Sequence, residues 1–203
     1  MKTIYTNMPT DEILSELKKD LNEERYLHSI GTAEMSAELA EKYCCDVDKA
    51  YISGLLHDCA KCIDFEKSRE IAKKYITDIT EEEINNRKTI HAPVSAYVAK
   101  TKFGVTDEEI LSAIRFHTIG KCNMSDFEKI IFIADKTETK TRPEEFRKLI
   151  ICKLEGENPL NEAMFRCCEL TIESLVKRKL PICYVTIEVY NDLINKINNI
   201  NKL

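Results

Sequence analysis

The stretch Val47-Asp48-Lys49-Ala50-Tyr51-Ile52-Ser53-Gly54-Leu55-Leu56-His57-Asp58-Cys59-Ala60-Lys61 decides how this chain is read. Capped at Asp46 or Val47 and running through Leu55 and Leu56 to Lys61, it reads as a helix with His57 and Asp58 near its C-terminal end, facing a cleft. Adjacent helical residues point about 100° apart, so both side chains reach one ion only where the helix ends or wraps a site. Imidazole nitrogen and carboxylate oxygen suit divalent Fe, Mn, Co, Ni or Zn, and mixed His/Asp sets with open positions are typical of catalytic metals. A His-Asp dipeptide by itself is common, so the surrounding chain has to carry the argument.

Outward from this stretch, helical periodicity recurs from end to end, and no segment alternates long enough to read as a strand. The expected fold is all-α. A first helix begins near Thr10, with Ile13, Leu14, Leu17 and Leu21 on one face, and a second runs from about Glu23 to Tyr43 with His28 one turn in. Further helices are expected over 64–75, 80–88, 92–102, 107–117, 126–136 and 143–154. Three of these starts carry capping boxes, Thr80 to Glu83, Thr106 to Glu109 and Ser125 to Glu128. Gly104 and Gly120 suit C-terminal stops, and Asn158-Pro159 opens a helix that runs to about Lys179. After Pro181, Thr186 to Ile200 reads as a closing helix with a frayed, Asn-rich end. No internal repeat, linker or low-complexity tract is present, and one domain over 1–203 with a core of about 10–192 is expected.

Composition narrows the function classes. The chain has 203 residues, 43% hydrophobic and 32% charged, which is enough to bury a sizeable core without staples. A net charge of −5 argues against a protein that coats nucleic acid, since phosphate neutralisation calls for a basic surface. Nine cysteines, an odd number with no secretory signal, read as reduced thiols of a cytoplasmic protein. No apolar run approaches the roughly 18 residues of a membrane span. Cys59 and Cys62 form a C-x-x-C, but no second pair with zinc-finger spacing and no thioredoxin-like pattern accompanies it.

Only four histidines occur, His28, His57, His91 and His117, each in or beside an expected helix. A lone His on an apolar face is usually a core residue, whereas four so placed suggest a site. The buried-looking run Ile130-Ile131-Phe132-Ile133-Ala134 ends in Asp135, where an unpaired carboxylate would be costly. Lys136 is a partner that could satisfy it; a metal would compensate its charge more fully.

At these residues the sequence resembles the HD superfamily, whose hallmark is a His, a His-Asp pair and a distant Asp on a helical bundle: His28, His57-Asp58 and Asp135. It is similar in more detail to the YqeK-like branch of bacterial symmetrical diadenosine tetraphosphate hydrolases. The likeness rests on Arg25-Tyr26-Leu27-His28-Ser29, Gly54-Leu55-Leu56-His57-Asp58, His117-Thr118-Ile119-Gly120, Met124-Ser125, Lys129-Ile130-Ile131, Ile133-Ala134-Asp135 and Tyr190-Asn191. It spans roughly residues 10 to 192. After Asp135 the branch tends to an aromatic-Ile-Glu-Pro run and an Arg, whereas this chain reads Lys136-Thr137-Glu138-Thr139-Lys140-Thr141-Arg142-Pro143.

The resemblance implies one or two divalent transition-metal ions, iron first, on His28, His57, Asp58 and Asp135. His91 and His117 join the same cleft, either on a second metal bridged by Asp58 or on the scissile phosphate. It implies a metal-activated water, with Asp58, His91, His117 and Lys61 acting in catalysis and no Ser or Cys nucleophile. Arg25, His28, Asp58, Lys61, His91, His117, Thr118, Asp135 and Arg142 would face the substrate, with the cations countering phosphoryl charge. Loose likeness nominates 180–186 for the base. The expected partner is a dinucleoside polyphosphate or nucleoside diphosphate, with no nucleic acid and no membrane; homodimer formation is left open. Two other readings are a phosphohydrolase of the same fold acting on a nucleoside monophosphate, a (d)NTP or a cyclic nucleotide, and an inactive nucleotide-sensing helical module.

Overall fold

Three helices that point the same way place the chemistry of this chain at one end of a bundle. In the computed structural model, which describes residues 4–200 and side chains through residue 198, the helices are α1 (Thr10–Asp20), α2 (Glu23–Lys42), α3 (Val47–Leu56) and α4 (Phe65–Tyr75). They continue with α5 (Glu81–Ile84), α6 (His91–Thr101), α7 (Glu108–Phe116), α8 (Asp126–Thr137) and α9 (Glu144–Ile151), and close with α10 (Pro159–Lys177) and α11 (Tyr184–Ile200). Among the described residues there is no strand, as the sequence pattern requires.

α3, α7 and α8 run in the same direction. At one end Lys49, in the first turn of α3, pairs with Asp107 and Glu109 at the start of α7 (2.9 and 2.8 Å), and its ammonium lies over the Phe127 ring that opens α8. At the other end the His57 and His117 rings are 4.9 Å apart, and Asp135 lies 3.9 Å from His57. The negative ends of three helix dipoles therefore converge where cations are expected.

α8 is buried from Phe127 through Asp135, and its run Ile130-Ile131-Phe132-Ile133-Ala134 is apolar all round, as the centre of a buried helix should be. Each fully buried Ile of that run contributes roughly 1.5–3 kcal/mol by leaving water. α2 crosses α3 at Gly54, where an added Cβ would lie 2.8 Å from Ala33 Cα and Thr32 O. Only a missing side chain lets the two backbones approach so closely. The principal buried cluster extends from Ile13 to Leu193, and a smaller one around Ala72, Ile84, Ile90 and Val94 supports the segment before His91.

Several expected boundaries move. α3 ends at Leu56 and not at Lys61: His57 is its C-cap, and three-residue turns, Cys59 N–H to Leu56 O and Lys61 N–H to Asp58 O, carry the chain around the site. α5 stops at Ile84, short of 88, because Asn85 and Asn86 turn the chain, with Asn86 Oδ1 accepting from Lys88 N–H. α7 is capped by Asp107, whose carboxylate accepts from the Glu109 and Ile110 N–H groups, and not by the expected Thr106–Glu109 box; Glu109 is engaged by Lys49 and Ser125. The boxes at Thr80–Glu83 and Ser125–Glu128 both form. α9 gives way to a 3-10 turn at Cys152–Glu155, α10 ends two residues early at Lys177, and α11 starts two residues early at Tyr184. Gly104 and Gly120 take positive φ (69° and 74°), as C-terminal stops do. At the Asn-rich end, expected to fray, α11 stays helical through Ile200, and only residues 201–203 fall outside the described backbone. All nine cysteines are free.

Candidate metal centre

Each of the four imidazoles aims the same ring atom at one point. The Nδ1–H of His57 donates to Gly54 O (2.6 Å) and that of His117 to Ile114 O (2.7 Å). A carbonyl only accepts, so both Nδ1 atoms carry the proton and both Nε2 atoms are left with a lone pair. These two residues cap α3 and α7 in the same manner, each bonding the carbonyl three residues back. His28, one turn into α2, donates from Nδ1 to Glu138 Oε1 (3.2 Å) and turns Nε2 to Asp135 Oδ1 (2.9 Å). His91, first residue of α6, has Nε2 3.1 Å from Asp58 Oδ1.

The Nε2 atoms of His28 and His57 lie 3.2 Å apart, and those of His91 and His117 3.3 Å. Contacts of that length bring the His57 and His117 lone pairs onto the Nε2 atoms of His28 and His91, a crowding that a cation among them would relieve. Asp58, just beyond α3, straddles the two imidazole pairs: Oδ2 is 3.8 Å from His57 Nε2, while Oδ1 is 3.1 Å from His91 and 3.4 Å from His117. Its Oδ1 is buried with no hydrogen bond among the described residues. The ligand atoms of His28, His57 and Asp58, of His57, His117 and Asp135, and of Asp58, His91 and His117 each lie within 4.8 Å of one another. An orphaned carboxylate oxygen amid convergent imidazole nitrogens fits a divalent metal.

Electrostatics agree with that fit. Burial pushes His57 down to about 3 and His91 down to about 4, so both are neutral ligands at pH 7. Burial also opposes charge on Asp58 and Asp135, yet neighbouring histidines around Asp58, and Lys136, His28 and Arg142 around Asp135, hold both carboxyls well below their usual range. His28 differs from His57 and His91: burial disfavours its charge, but Asp135 and Glu138 outweigh it and raise its pKa.

Every site residue expected from the sequence is brought to this end of the bundle. Arg25 Nη1 is 3.7 Å from Asp58 Oδ2, Lys61 Nζ is 2.8 Å from His91 Nε2 and 3.5 Å from Asp58 Oδ1, and Thr118 Oγ1 is within 3.2 Å of His91 and 3.0 Å of His117. Burial lowers the Lys61 pKa. Arg142 donates to Asp135 O (2.9 Å) and Oδ1 (2.8 Å). Lys136 pairs with Asp135 as well, so the partner read from the sequence is real. The nominated base segment 180–186 contacts α5 and the residues after it, through Tyr184 N–H to Glu82 and Asn86 to Cys183. Cys59 is buried against Ser95 O, while Cys62 is exposed, so the C-x-x-C does not act as a pair toward the centre.

Sequence reasoning missed Glu138. It is fully buried, accepts from His28, and folds the segment after α8 by accepting the N–H groups of Lys140 and Thr141. Burial opposes its charge, yet these donors hold its carboxyl at about 2. A carboxylate on the outer nitrogen of a ligating His fixes its tautomer and orientation. One signal was present: Gly31, one turn after His28, is an isolated Gly inside a helix, and its missing Cβ leaves the space that the Glu138 carboxylate fills.

Comparison with known proteins places these residues in a family setting. Residues 25–140 match the family described as HD domain. The chain is 35% identical over 196 residues to the symmetrical bis(5'-nucleosyl)-tetraphosphatase of Bacillus subtilis (strain 168), covering 93% of this chain and 99% of that one. It is 32% identical to the protein of the same name from Staphylococcus aureus (strain NCTC 8325 / PS 47), covering 86% and 89%. A crystal structure from Clostridium acetobutylicum, described as a predicted HD superfamily hydrolase involved in NAD metabolism, superposes with a TM-score of 0.86 at 36% identity, covering 93% of this chain and 98% of that one.

Proposed function

The chain belongs to the HD domain family, and we propose that it hydrolyses diadenosine tetraphosphate at its central linkage to give two ADP. The observation that carries the proposal is the convergence of four imidazoles and two carboxylates on one point, ringed by Arg25, Lys61, Lys136 and Arg142, in a chain like the symmetrical tetraphosphatases over nearly its whole length.

His28, His57, Asp58 and Asp135 would hold a divalent transition metal, iron first and Mn, Co, Ni or Zn otherwise, with His91 and His117 sharing Asp58 on a second. A metal bound there supplies a water nucleophile that ionises near neutral pH, which bulk water does not. The protein's own groups do the rest. Glu138 keeps the His28 Nδ1 proton in place, and the Gly54 and Ile114 carbonyls do the same for His57 and His117. Lys61, beside His91 and Asp58, would offset charge on the attacked phosphoryl group and on the departing ADP. Arg25, Thr118 and Arg142 would hold the phosphate chain in line, so that attack falls on the central linkage.

The same reading makes 1–203 a single HD-type unit. It makes nucleotides, and not nucleic acid, the partner of a chain with net charge −5, and the cytoplasm the setting for nine free thiols. No described helix is long and apolar enough to cross a membrane. Anaerobically purified protein with Fe, Mn or Co should release ADP as sole nucleotide product from the tetraphosphate. ATP plus AMP would overturn the reading, and turnover of a different nucleotide alone would replace the substrate.

A further inference from the structure

Asp135 is held more tightly by its cations than Asp58, whose Arg25 and Lys61 contacts are 3.7 and 3.5 Å long. Oδ1 is taken by His28 Nε2 (2.9 Å) and Arg142 Nη2 (2.8 Å), and Oδ2 by the Lys136 ammonium. Arg142 is doubly tied, to the carboxylate and to the backbone carbonyl of Asp135, so it clips the turn after α8 in place. Lys136 is different. Neighbouring side chains on a helix diverge by about 100°, so a lysine bonds the residue before it only by folding its stem back, where water is the easier partner. Here the side chain is folded inward and only 19% exposed, with the ammonium 5.3 Å over the Phe132 ring. Lys136 thus occupies an oxygen of a carboxylate that a divalent ion would also need, on a flexible stem at the edge of the phosphate-facing cations.

We infer that Lys136 is a further phosphate-binding residue of this centre: its ammonium competes with the divalent ion for the Asp135 carboxylate, and once displaced it moves onto a phosphoryl oxygen of the bound chain. The inference rests on the metal-centre reading and not on which nucleotide is the substrate. Two like charges sharing one carboxylate weaken each other's hold, and a freed ammonium is a ready point charge for phosphate.

The test compares wild type, Lys136→Met and Lys136→Arg at one neutral pH, with Mn2+ alone titrated calorimetrically into metal-free protein. Inorganic phosphate is then titrated into each Mn2+-loaded protein. Lys136→Met should bind Mn2+ about tenfold more tightly, because the competing charge is gone, and phosphate about fivefold more weakly. Lys136→Arg keeps the charge and should stay within about threefold of wild type on both measures. Unchanged or weakened Mn2+ affinity in Lys136→Met, unchanged phosphate affinity, or an Arg variant that behaves like the Met variant would each overturn the inference. If wild type releases no ADP from the tetraphosphate, the substrate reading falls while these two titrations still decide the role of Lys136. Matching far-UV circular dichroism of the three proteins excludes misfolding as the source of a difference.

Discussion

Two helical hairpins meet at Asp58, and their likeness is as instructive as their difference. In α2–α3, a His from the first helix (His28) faces a C-cap His from the second (His57), with ring centroids 5.0 Å apart; in α6–α7, His91 faces His117 at 5.2 Å. The second helix of each hairpin fixes its His by the same bond to the carbonyl three residues back. Yet the two pairs stand in different electrostatic surroundings. The first is backed by Asp135 and Glu138, which raise the His28 pKa, while the second is backed by Lys61 and Thr118, and the buried His91 Nδ1 finds no hydrogen bond among the described residues. An imidazole backed by carboxylates is a stronger base and a firmer cation ligand than one backed by an ammonium. On the proposed reading, the first pair would retain a metal, and the second would exchange one or meet a phosphate.

The largest effect should come from the residue that joins the two. Asp58→Ala removes the shared oxygens, and we expect kcat/KM to fall by roughly 10⁴-fold or more with loss of bound metal by elemental analysis. Unchanged metal content would end the account of the centre. The hairpins themselves are separated by His28→Ala and His91→Ala. Both should lower turnover by about 10²–10³-fold, but His28→Ala should lose most of its metal while His91→Ala keeps an ion. Equal metal loss would break the distinction between the pairs. A smaller step sharpens it: Glu138→Gln should weaken metal affinity about 10–100-fold, as hydrogen-bond partners of ligating histidines do, and should also lower thermal stability, because the same carboxylate accepts the Lys140 and Thr141 N–H groups.

Two predictions lie away from the chemistry. Gly54→Ala sets a Cβ against the backbone of α2 and should cost about 1–3 kcal/mol in urea unfolding, with bound metal falling only as the protein unfolds. At the opposite end of α3 and α7, burial opposes charge on Asp107, but the Ile110 N–H, Lys49 and the Glu109 N–H outweigh it and hold its carboxyl below the usual value. A depressed folded pKa means stability that is present above the unfolded value, about 3.9, and lost as pH falls through the folded one. Asp107→Ala should therefore cost about 0.5–2 kcal/mol at pH 7 in metal-free protein, and the difference should shrink below about pH 4. A difference that holds to pH 3 would show that the cap acts without its charge.

Much of this was legible one residue at a time. Helical periodicity, two of the three capping boxes and the glycine stops depend on neighbours within a turn, and so did the placement of His57 and Asp58 at a helix end. Arg25 and Lys61 were legible by position, one turn from His28 and His57, whereas Thr118 and Arg142 were legible only by resemblance. The Thr106 box failed because Asp107, one residue on, is an equally good cap, and the Lys49 pairing that favours it joins positions 58 residues apart.

What the sequence determined by itself, then, is the all-α framework and the identity of the residues able to bind a metal, since both follow from side-chain chemistry and local spacing. The tertiary structure decided their relations. That α3, α7 and α8 run in the same direction, bringing three C-terminal ends to one point, is set by packing among distant segments. So is the choice of Glu138, 110 positions from His28, as the carboxylate that orients it. Local propensity carries no record of such partners, because the free energy of burying a charge against its counter-charge exists only once the chain has closed around both.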